Sequence, residues 1–349
     1  MKIAIVTDTH FGGRSDSLDF DSYFKKFYDD IFFPYLDEHG IKTICHLGDC
    51  FDRRKFINFN SLRSCREYFF DAAKRRGIKI HMLVGNHDTF FKNTNEVNSP
   101  HLLLKDYDNV IAYHGPAEPN IGGISILMLP WICADNYEVS MKAVKETTSK
   151  VCFGHLELAG FLMYKGQECH DGLDSSLFKN FDLVCSGHYH HRHSRGHIHY
   201  LGNPYQMFWN DVDDPRGFHV FETTNLTLDF VENPYTIFER YYYDEDKVAG
   251  INFERFRGKL VKLIVENKKD FYKFDQFLAN IYKQNPIELK IIEDMSDFEA
   301  ENVEDDSILV EDTYTMLSNY VDAIDIDTNK DKLKTIVRNL FIEAQHRND

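Results

Sequence analysis

The sequence predicts an α/β sandwich that is followed by a small unit made of a strand, a helix and a strand. Over roughly the first 235 residues, short apolar segments rich in β-branched residues alternate with longer segments whose aromatic residues recur at helical spacing. Later strand-like segments follow one another without helices between them. Strands separated by helices, and then strands in succession, are typical of an α/β sandwich.

The elements of the sandwich are predicted from the spacing of apolar residues and from stop signals. Residues 19–38 form a predicted helix because aromatic side chains recur on one face, and Gly40 follows as a stop signal. Residues 59–76 form a second predicted helix, which ends at Gly77. The predicted strands span residues 2–7, 43–47, 79–84, 125–129, 150–153, 183–186, 197–201, 217–222 and 227–231.

The rest of the chain is predicted to form a cap, a linker and C-terminal helices. Residues 258–266, 272–284 and 287–293 have the patterns of a strand, a helix and a strand. We therefore divide the chain into a main domain at 1–240, a β-α-β capping domain at 241–292, an acidic linker at 293–312 and helices at 313–349. The helices carry an apolar stripe, which either packs on the chain's own core or docks a partner.

The composition indicates a soluble cytoplasmic protein whose negative charge is concentrated in one segment. The net charge is −16, but residues 291–329 hold thirteen acidic and no basic side chains, so the remainder carries a net −3. That remainder is compatible with binding a polyanion. No segment approaches the roughly 18 apolar residues of a membrane span. The seven cysteines include no C-x-x-C pair, which indicates reduced core thiols.

Five short polar segments stand at the ends of predicted strands. They are Asp8-Thr9-His10, Gly48-Asp49-Cys50-Phe51-Asp52, Gly85-Asn86-His87-Asp88, Gly154-His155 and Gly187-His188-Tyr189-His190. Ligand sites of open α/β sheets lie beyond the carboxyl ends of the strands, and a neighbouring glycine lets the backbone turn there. Each segment alone is a weak signal, but five in this order predict one site.

The residue types of these segments suit a pair of divalent transition-metal ions. Carboxylates, one amide oxygen and imidazoles form a mixed oxygen and nitrogen set, which favours manganese, iron or zinc over calcium. We assign one ion to Asp8, His10, Asp49 and His190, and the other to Asp49, Asn86, His155 and His188, so that Asp49 bridges the two. Such a pair activates water for in-line attack on phosphorus.

Two further residues of these segments are predicted to handle the leaving group. His87 is not needed as a ligand and is predicted to protonate the departing oxygen. Asp52 follows the bridging Asp49 by three residues and is predicted to orient and charge that imidazole, as a carboxylate does in other hydrolases.

The ordered segments DTH, GDCFD, GNHD, FGH and SGHYH resemble those of the calcineurin-like metallophosphoesterases. The phrases GNPYQMFWND, DPRGFHVF and LPWIC are similar to the nuclease branch of that family, which comprises the nuclease subunits of SbcCD-type double-strand-break repair complexes and their T-even-phage counterparts. The resemblance covers residues 1–240 by motif and the remainder only by layout. It implies a four-layer α-β-β-α metallophosphoesterase sandwich.

The resemblance also implies an activity and partners. It implies a manganese-dependent nuclease, with magnesium, iron and zinc as other possible ions, that trims duplex ends and cuts single-stranded DNA in recombination and repair. It implies a homodimer, a cap that binds DNA, and an SMC-like coiled-coil ATPase held by the C-terminal helices. No G-x-x-x-x-G-K-[ST] loop is present, so we expect the partner to bind the nucleotide. The family's metal and proton-donor residues carry over onto Asp8, His10, Asp49, Asn86, His87, His155, His188 and His190.

Two alternative functions predict other sequence patterns, and several residues beside the motifs have no predicted role in metal binding. A phosphatase of the same fold would tend to read Gly-Asp-x-x-Asp-Arg-Gly and Gly-Asn-His-Glu, and a metal-free scaffold would lack ligands; neither pattern is found here. The basic turn at 53–55 and the loop at 89–99 either contact DNA or pack locally. The remaining side chains near the motifs are interpreted as exposed, core or rim residues, namely His191, His193, His197, His199, Trp131 and Trp209.

Overall fold

The computed structural model describes residues 1–164, 166–248 and 250–293. The predicted C-terminal helices at 313–349, and the predicted acidic linker apart from Glu293, lie outside these residues. Within the described part of the chain, no helix is both long and apolar enough to cross a membrane.

The strands fall into two large sheets, one small sheet and one hairpin. In chain order they are β1 (Lys2–Val6), β2 (Thr43–His46), β3 (Lys79–Leu83), β4 (Val110–Tyr113), β5 (Asn120–Ile121), β6 (Ile124–Leu129), β7 (Val151–His155), β8 (Leu162–Tyr164), β9 (Gln167–Glu168), β10 (Leu183–Gly187), β11 (His193–Arg195), β12 (Ile198–Tyr200), β13 (Gly217–Glu222), β14 (Thr227–Glu232), β15 (Phe238–Asp244), β16 (Leu260–Asn267) and β17 (Glu288–Ile292).

The helices are short, and two of them contain π-helical turns. The α-helical segments are Leu18–Phe27, Phe33–Glu38, Phe59–Cys65, Asp71–Arg75, Ser99–Leu103, Tyr137–Glu146 and Phe271–Tyr282. The π-helical turns Tyr28–Phe32 and Arg66–Phe70 join the first four of these into two continuous helices, as predicted at 19–38 and 59–76. Single 3₁₀ turns occur at Ser175–Phe178, Trp209–Asp211 and Phe253–Phe256, and the turn Gly13–Asp16 has left-handed residues.

In each of the two large sheets, the central strands are parallel and their carboxyl ends lie side by side. The first sheet has the order β14-β13-β1-β2-β3-β4, and the second has the order β11-β12-β10-β7-β6-β5. β1, β2, β3 and β4 pair in parallel, and so do β6, β7, β10 and β12. The carboxyl ends of these parallel strands therefore lie along one edge of each sheet.

Side-chain alternation builds the four layers. In β1, Ile3 and Ile5 join the core between the two sheets, whereas Ala4 and Val6 join the core beneath the helices of residues 18–38 and 59–75. On the outer face of the second sheet, Val144 of the helix Tyr137–Glu146 packs in a third core. The predicted α-β-β-α sandwich is confirmed.

The cap is a three-stranded parallel sheet with one helix. Its order is β15-β16-β17, and the helix Phe271–Tyr282 packs on it through Phe274, Phe277 and Ile281. β15 is a strand that the sequence analysis did not predict, and it pairs in parallel with β16. The division between 240 and 241 falls inside β15, and this division into domains stays a prediction.

Candidate metal centre

The polar segments turn away from their strands through left-handed backbone. Asp8, Asp49 and His188 follow β1, β2 and β10, and their φ angles are 51°, 54° and 85°. His10 has a φ of 42°. Non-glycine residues rarely adopt this conformation, which is concentrated at functional sites. The turns bring side chains from both sheets to the same edge of the sandwich.

A first ligand cluster joins Asp8, His10 and His190. One ligand atom from each residue lies within 4.8 Å of the others, and all three residues are buried. The Nε2 atoms of His10 and His190 face each other at 3.1 Å. The Asp8 carboxylate accepts from its own neighbour, the Thr7 hydroxyl, at 2.7 Å and from the main chain of His188 at 3.0 Å. These bonds fix the carboxylate beside the two imidazoles.

A second cluster joins Asp49, His155 and His188, again with ligand atoms within 4.8 Å of one another. Asn86 completes it, because its Oδ1 lies 2.9 Å from Nε2 of His155 and 3.0 Å from Nδ1 of His188. The other ring nitrogen of His155 lies 2.8 Å from the carbonyl oxygen of Leu47 and so holds the ring orientation.

Asp49 links the two clusters. Its Oδ2 lies 3.4 Å from Nε2 of His155 in one cluster and 3.8 Å from Nε2 of His10 in the other. Its Oδ1 accepts the main-chain N–H of His87 at 2.8 Å. The structure thus brings the seven predicted ligand residues into two neighbouring clusters that Asp49 links. A third group that could hold a metal, His10, Asp52 and His87, shares His10 with the first cluster. The ligand role of the seven predicted residues stays a prediction.

The pKa values of His10, His190 and Asp8 suit divalent cations. His155 differs from them, because Asp49 outweighs the effect of burial and raises the pKa of His155 to about 9. Burial lowers the pKa of His10 to about 3, and burial together with His10 and Arg216 holds the pKa of His190 well below its ordinary value, so both rings are neutral and keep a lone pair for a metal. Nδ1 of each ring is buried without a hydrogen-bond partner. Burial raises the pKa of Asp8 to about 6, a cost that a bound cation would offset.

His87 lies at the edge of the first cluster, with its ring centroid 4.8 Å from that of His10. Its Nδ1 lies 2.6 Å from the main-chain carbonyl oxygen of Asp52. Burial opposes the charged ring, but Asp49 and this carbonyl oxygen outweigh it and raise the pKa of His87 above its ordinary value. A ring that holds its proton in this way suits a general acid.

Asp52 contacts His87 through its main chain and not through its carboxylate. The hydrogen bond uses the carbonyl oxygen of Asp52, whereas the Asp52 carboxylate lies 3.6 Å from Nδ1 of His10. The carboxylate still acts on His87, but only as a nearby charge. The role predicted for Asp52 stays a prediction, and the residue type alone could not indicate which of its oxygens faces the imidazole.

Asp88 is a supporting residue that the sequence analysis did not single out. It is 1% exposed, and its carboxylate accepts main-chain N–H groups of Gly85, Cys50 and Phe51 at 2.9, 3.0 and 3.2 Å. It therefore ties the segment after β2 to the segment after β3. Its position directly after His87, in a motif already identified, was the available signal.

The aromatic, basic and histidine residues near the motifs pack against or pair with other residues of the chain. Trp131 lies at the rim, with its ring 5.0 Å from that of His188, whereas Trp209 is buried against Phe238 at 4.7 Å. Arg53 pairs with Asp16 at 3.2 Å. Phe90 and Phe91 of the loop at 89–99 are 40% and 47% exposed and contact each other. The histidines outside the Gly-His-x-His motif are half-buried with partners away from the clusters, namely His191, His193, His197 and His199.

The family model for calcineurin-like phosphoesterases matches residues 1–192, which is more than half of the chain. The chain belongs to this family. It is accordingly a metal-dependent phosphoesterase, and the predicted family and enzyme class are confirmed. The family uses divalent metals, and the His/Asp clusters described above could bind them.

The chain is also similar to individual proteins of known sequence or structure. It is 31% identical over 350 residues to exonuclease subunit 1 of Enterobacteria phage T4, and the match covers 99% of each chain. An archaeal phosphodiesterase structure matches 67% of this chain and all of its own, with 13% identity and a TM-score of 0.33. A structure of a protein of unknown function from Aquifex aeolicus matches 56% of this chain and 82% of its own, with 20% identity and a TM-score of 0.28.

Proposed function

We propose that this phosphoesterase is a manganese-dependent DNA nuclease that hydrolyses phosphodiester bonds at duplex ends and in single strands. The observation that carries the proposal is the pair of ligand clusters joined at Asp49, with His87 beside them, on the floor of a cleft of about 240 Å³. The similarity to exonuclease subunit 1 along almost the whole chain supports DNA as the substrate. Arg53 and Arg54 stand where protein phosphatases tend to have Arg-Gly, which also favours a nuclease over a phosphatase.

The assigned roles follow from the geometry of the side chains. Asp8, His10, Asp49 and His190 would hold one divalent cation, and Asp49, Asn86, His155 and His188 would hold the other. Two cations bound there supply Lewis-acid activation of water and of the phosphate ester. Because Nδ1 of His87 is engaged with the Asp52 carbonyl oxygen, the transferable proton sits on Nε2 and passes to the departing sugar oxygen.

A defined set of DNA substrates tests this proposal. Purified protein with Mn²⁺ should degrade blunt and hairpin duplexes and circular single strands, should lose this activity in EDTA, and should turn over p-nitrophenyl phosphate poorly. Asp49→Ala should abolish cleavage, whereas Asp229→Ala removes an exposed aspartate of β14 and should not. Hydrolysis of p-nitrophenyl phosphate without DNA cleavage would favour the phosphatase alternative.

We further propose that the nuclease acts as a homodimer. An exposed apolar surface formed by Phe56, Phe59, Phe90 and Leu102, which are 61%, 89%, 40% and 61% exposed, supports self-association next to the metal centre. Phe59→Asp should convert a dimer to a monomer in sedimentation analysis, and Leu18→Asp, at another exposed leucine, should not. A monomeric wild-type protein would contradict this.

We also propose that an SMC-like coiled-coil ATPase is the partner and that the C-terminal helices at 313–349 dock it. The amphipathic pattern of that segment supports a helix-in-groove contact. Deletion of the residues after about 305 should spare basal nuclease activity and abolish binding of the purified ATPase in a pull-down assay. Equal binding by the shortened chain would refute the docking role.

A further inference from the structure

We propose that the hairpin formed by β8 and β9 is a wall of the catalytic cleft that holds the nucleotide next to the cleaved phosphate, and that His193 is the positioning residue of this wall. The inference rests on the proposed nuclease function and adds to it a nucleotide-binding element and a residue that fixes it in place.

The hairpin borders the metal centre directly. Met163 and Tyr164 of β8 and Gln167 of β9 line the same cleft as Asn86 and His188. Tyr164 and Gln167 also line a second cavity of about 310 Å³, whose other wall includes Arg240 of the cap strand β15. The hairpin therefore stands between the metal centre and a cavity that continues toward the cap. A single strand of DNA that runs from the metal centre to this second cavity would pass Tyr164.

The chemistry of this wall suits a nucleoside. Tyr164 is half-buried and lines the cleft, so the wall offers an aromatic ring to a flat base, whereas the side chain of Met163 packs against the core of the second sheet. Base stacking on an aromatic ring tolerates every base, which a nuclease without sequence preference requires. Arg240 lines the next cavity together with Asp213, so this cavity includes one basic residue that could contact the following phosphate.

The foot of the hairpin is held by the main chain and by His193. Gly160 and Cys169 close the foot with main-chain bonds, from the Gly160 N–H to the Cys169 carbonyl oxygen and from the Cys169 N–H to the Phe161 carbonyl oxygen, each at 2.8 Å. The N–H of Leu162, the first residue of β8, donates to Nε2 of His193 at 3.0 Å. This bond ties the hairpin to β11 of the second sheet.

The hydrogen bonds of His193 define which tautomer of the imidazole can accept the N–H of Leu162. Nε2 accepts a main-chain N–H and therefore carries no proton, whereas Nδ1 lies 2.8 Å from the carbonyl oxygen of His191 and donates to it. The ring stacks on Tyr200 with centroids 5.2 Å apart and an interplanar angle of 6°. Phe161 covers another face at 5.7 Å. The imidazole is thus held by packing while its two nitrogens join the sheet to the hairpin.

Substitutions at His193 separate the hydrogen bond from the packing. His193→Phe keeps an aromatic ring against Tyr200 but removes the acceptor for Leu162. His193→Gln restores an acceptor and a donor at a similar distance from the backbone, on a flexible side chain without a ring. The matched control is His199→Phe, because His199 is a half-buried histidine of the adjacent β12 whose Nδ1 contacts Ser194 rather than the hairpin.

The first readout is the exchange of the Leu162 amide hydrogen, followed by mass spectrometry of the Mn²⁺-loaded full chain. The second is KM and kcat for a single-stranded oligonucleotide. In His193→Phe we expect faster exchange and a KM about fivefold higher, which corresponds to about 1 kcal/mol for one lost hydrogen bond, with most of the change in KM. His193→Gln should restore both readouts in part, and His199→Phe should match the wild type.

Tyr164 is tested by the loss of its ring. Tyr164→Ala should raise KM for the oligonucleotide by about 5- to 100-fold, whereas Tyr164→Phe, which keeps the ring, should not. Unchanged KM in Tyr164→Ala, or unchanged exchange and KM in His193→Phe, would overturn the inference while DNA cleavage by the wild type still stood. If the wild type hydrolysed bis(p-nitrophenyl) phosphate but no DNA, the nuclease proposal would fail, and the nucleotide wall with it.

Discussion

Gly85 allows the metal segments to approach one another, and its substitution should separate them. A Cβ atom added at Gly85 would lie 2.1 Å from Oδ1 of Asp49 and 2.4 Å from the main-chain nitrogen of Asp49. A side chain could rotate away from such a contact, but a main-chain nitrogen cannot. Gly85→Ala therefore forces the two segments apart by roughly 1 Å, and shifts of this size at a reactive site cost about 100-fold in rate.

The expected consequences reach both metal binding and stability. The displaced Asp49 would lose the N–H of His87, which it now accepts at 2.8 Å, and its carboxylate would no longer lie within 4 Å of an imidazole nitrogen of both clusters. Crowding of a packed site of this kind costs about 1–3 kcal/mol in the free energy of unfolding. We expect Mn²⁺ affinity and kcat to fall together, as measured by isothermal titration calorimetry and by digestion of a labelled duplex.

A second glycine supplies the control. Gly115 has no atom within 4 Å of an added Cβ, and neither Gly85 nor Gly115 has a left-handed φ, so Gly115→Ala tests the loss of a glycine without the collision. It should bind Mn²⁺ and cleave DNA as the wild type does. A folded Gly85→Ala protein with wild-type Mn²⁺ affinity and rate would refute the view that close approach at Asp49 builds the centre.

Three further predictions address single side chains. His87→Ala should lower kcat by about 10²- to 10⁴-fold while Mn²⁺ still binds, because it removes a proton donor and no ligand; a full rate in a digestion assay would contradict the assignment. Asp52→Ala should lose less activity than His87→Ala, because the carbonyl oxygen that holds His87 remains; equal losses in the same assay would mean that the carboxylate is the essential group. Burial, aided by Arg192 and His199, lowers the pKa of His219 to about 3, so between pH 6.5 and 3 the unfolded chain takes up a proton that the folded chain does not, and stability falls as the pH decreases. Urea unfolding at pH 7 and pH 5 should show a loss of about 2 kcal/mol from this residue, and His219→Phe should remove that part of the loss.

The convergence of the candidate metal-centre residues could be predicted from the sequence because these residues follow strands that are easy to recognise. β1, β2, β3, β7 and β10 are short, buried and apolar, and each is followed or ended by a polar residue, which has a neighbouring glycine in every case except that of β1. Parallel pairing then brings the carboxyl ends of these strands together without further information. The assignment of the predicted ligands to two ions rests only on the order of the motifs and on the ligand preferences of divalent ions.

Other features could not be predicted because their signals are short or nonlocal. β8 and β9 have three and two residues, too few for a period-two pattern. The helix Ser99–Leu103 has five residues and shows no helical period. β15 has the aromatic composition of a strand, but its partner β16 begins sixteen residues after it ends, and no turn signal links the two. Which oxygen of Asp52 meets His87 depends on the backbone path and not on residue type.

Left-handed backbone is concentrated in the candidate metal centre. Among the described residues, ten that are not glycine have a left-handed φ, and four of these are the predicted ligands Asp8, His10, Asp49 and His188. Each such residue costs on the order of 1–3 kcal/mol, so the surroundings must hold it in place.

Main-chain hydrogen bonds between the segment after β1 and the segment after β2 hold the left-handed residues of these two segments in place. The N–H groups of Asp8, His10 and Phe11 donate to the carbonyl oxygens of Gly48, Asp49 and Cys50 at 3.0, 3.1 and 2.8 Å. The segments after β1 and β2 therefore form one hydrogen-bonded unit, and the entropy of ordering their backbone is lost when the chain folds. Free energy that would otherwise be spent on arranging the ligand segments remains available as affinity for the metal. A displacement of one segment, as expected in Gly85→Ala, should therefore weaken the binding of both ions.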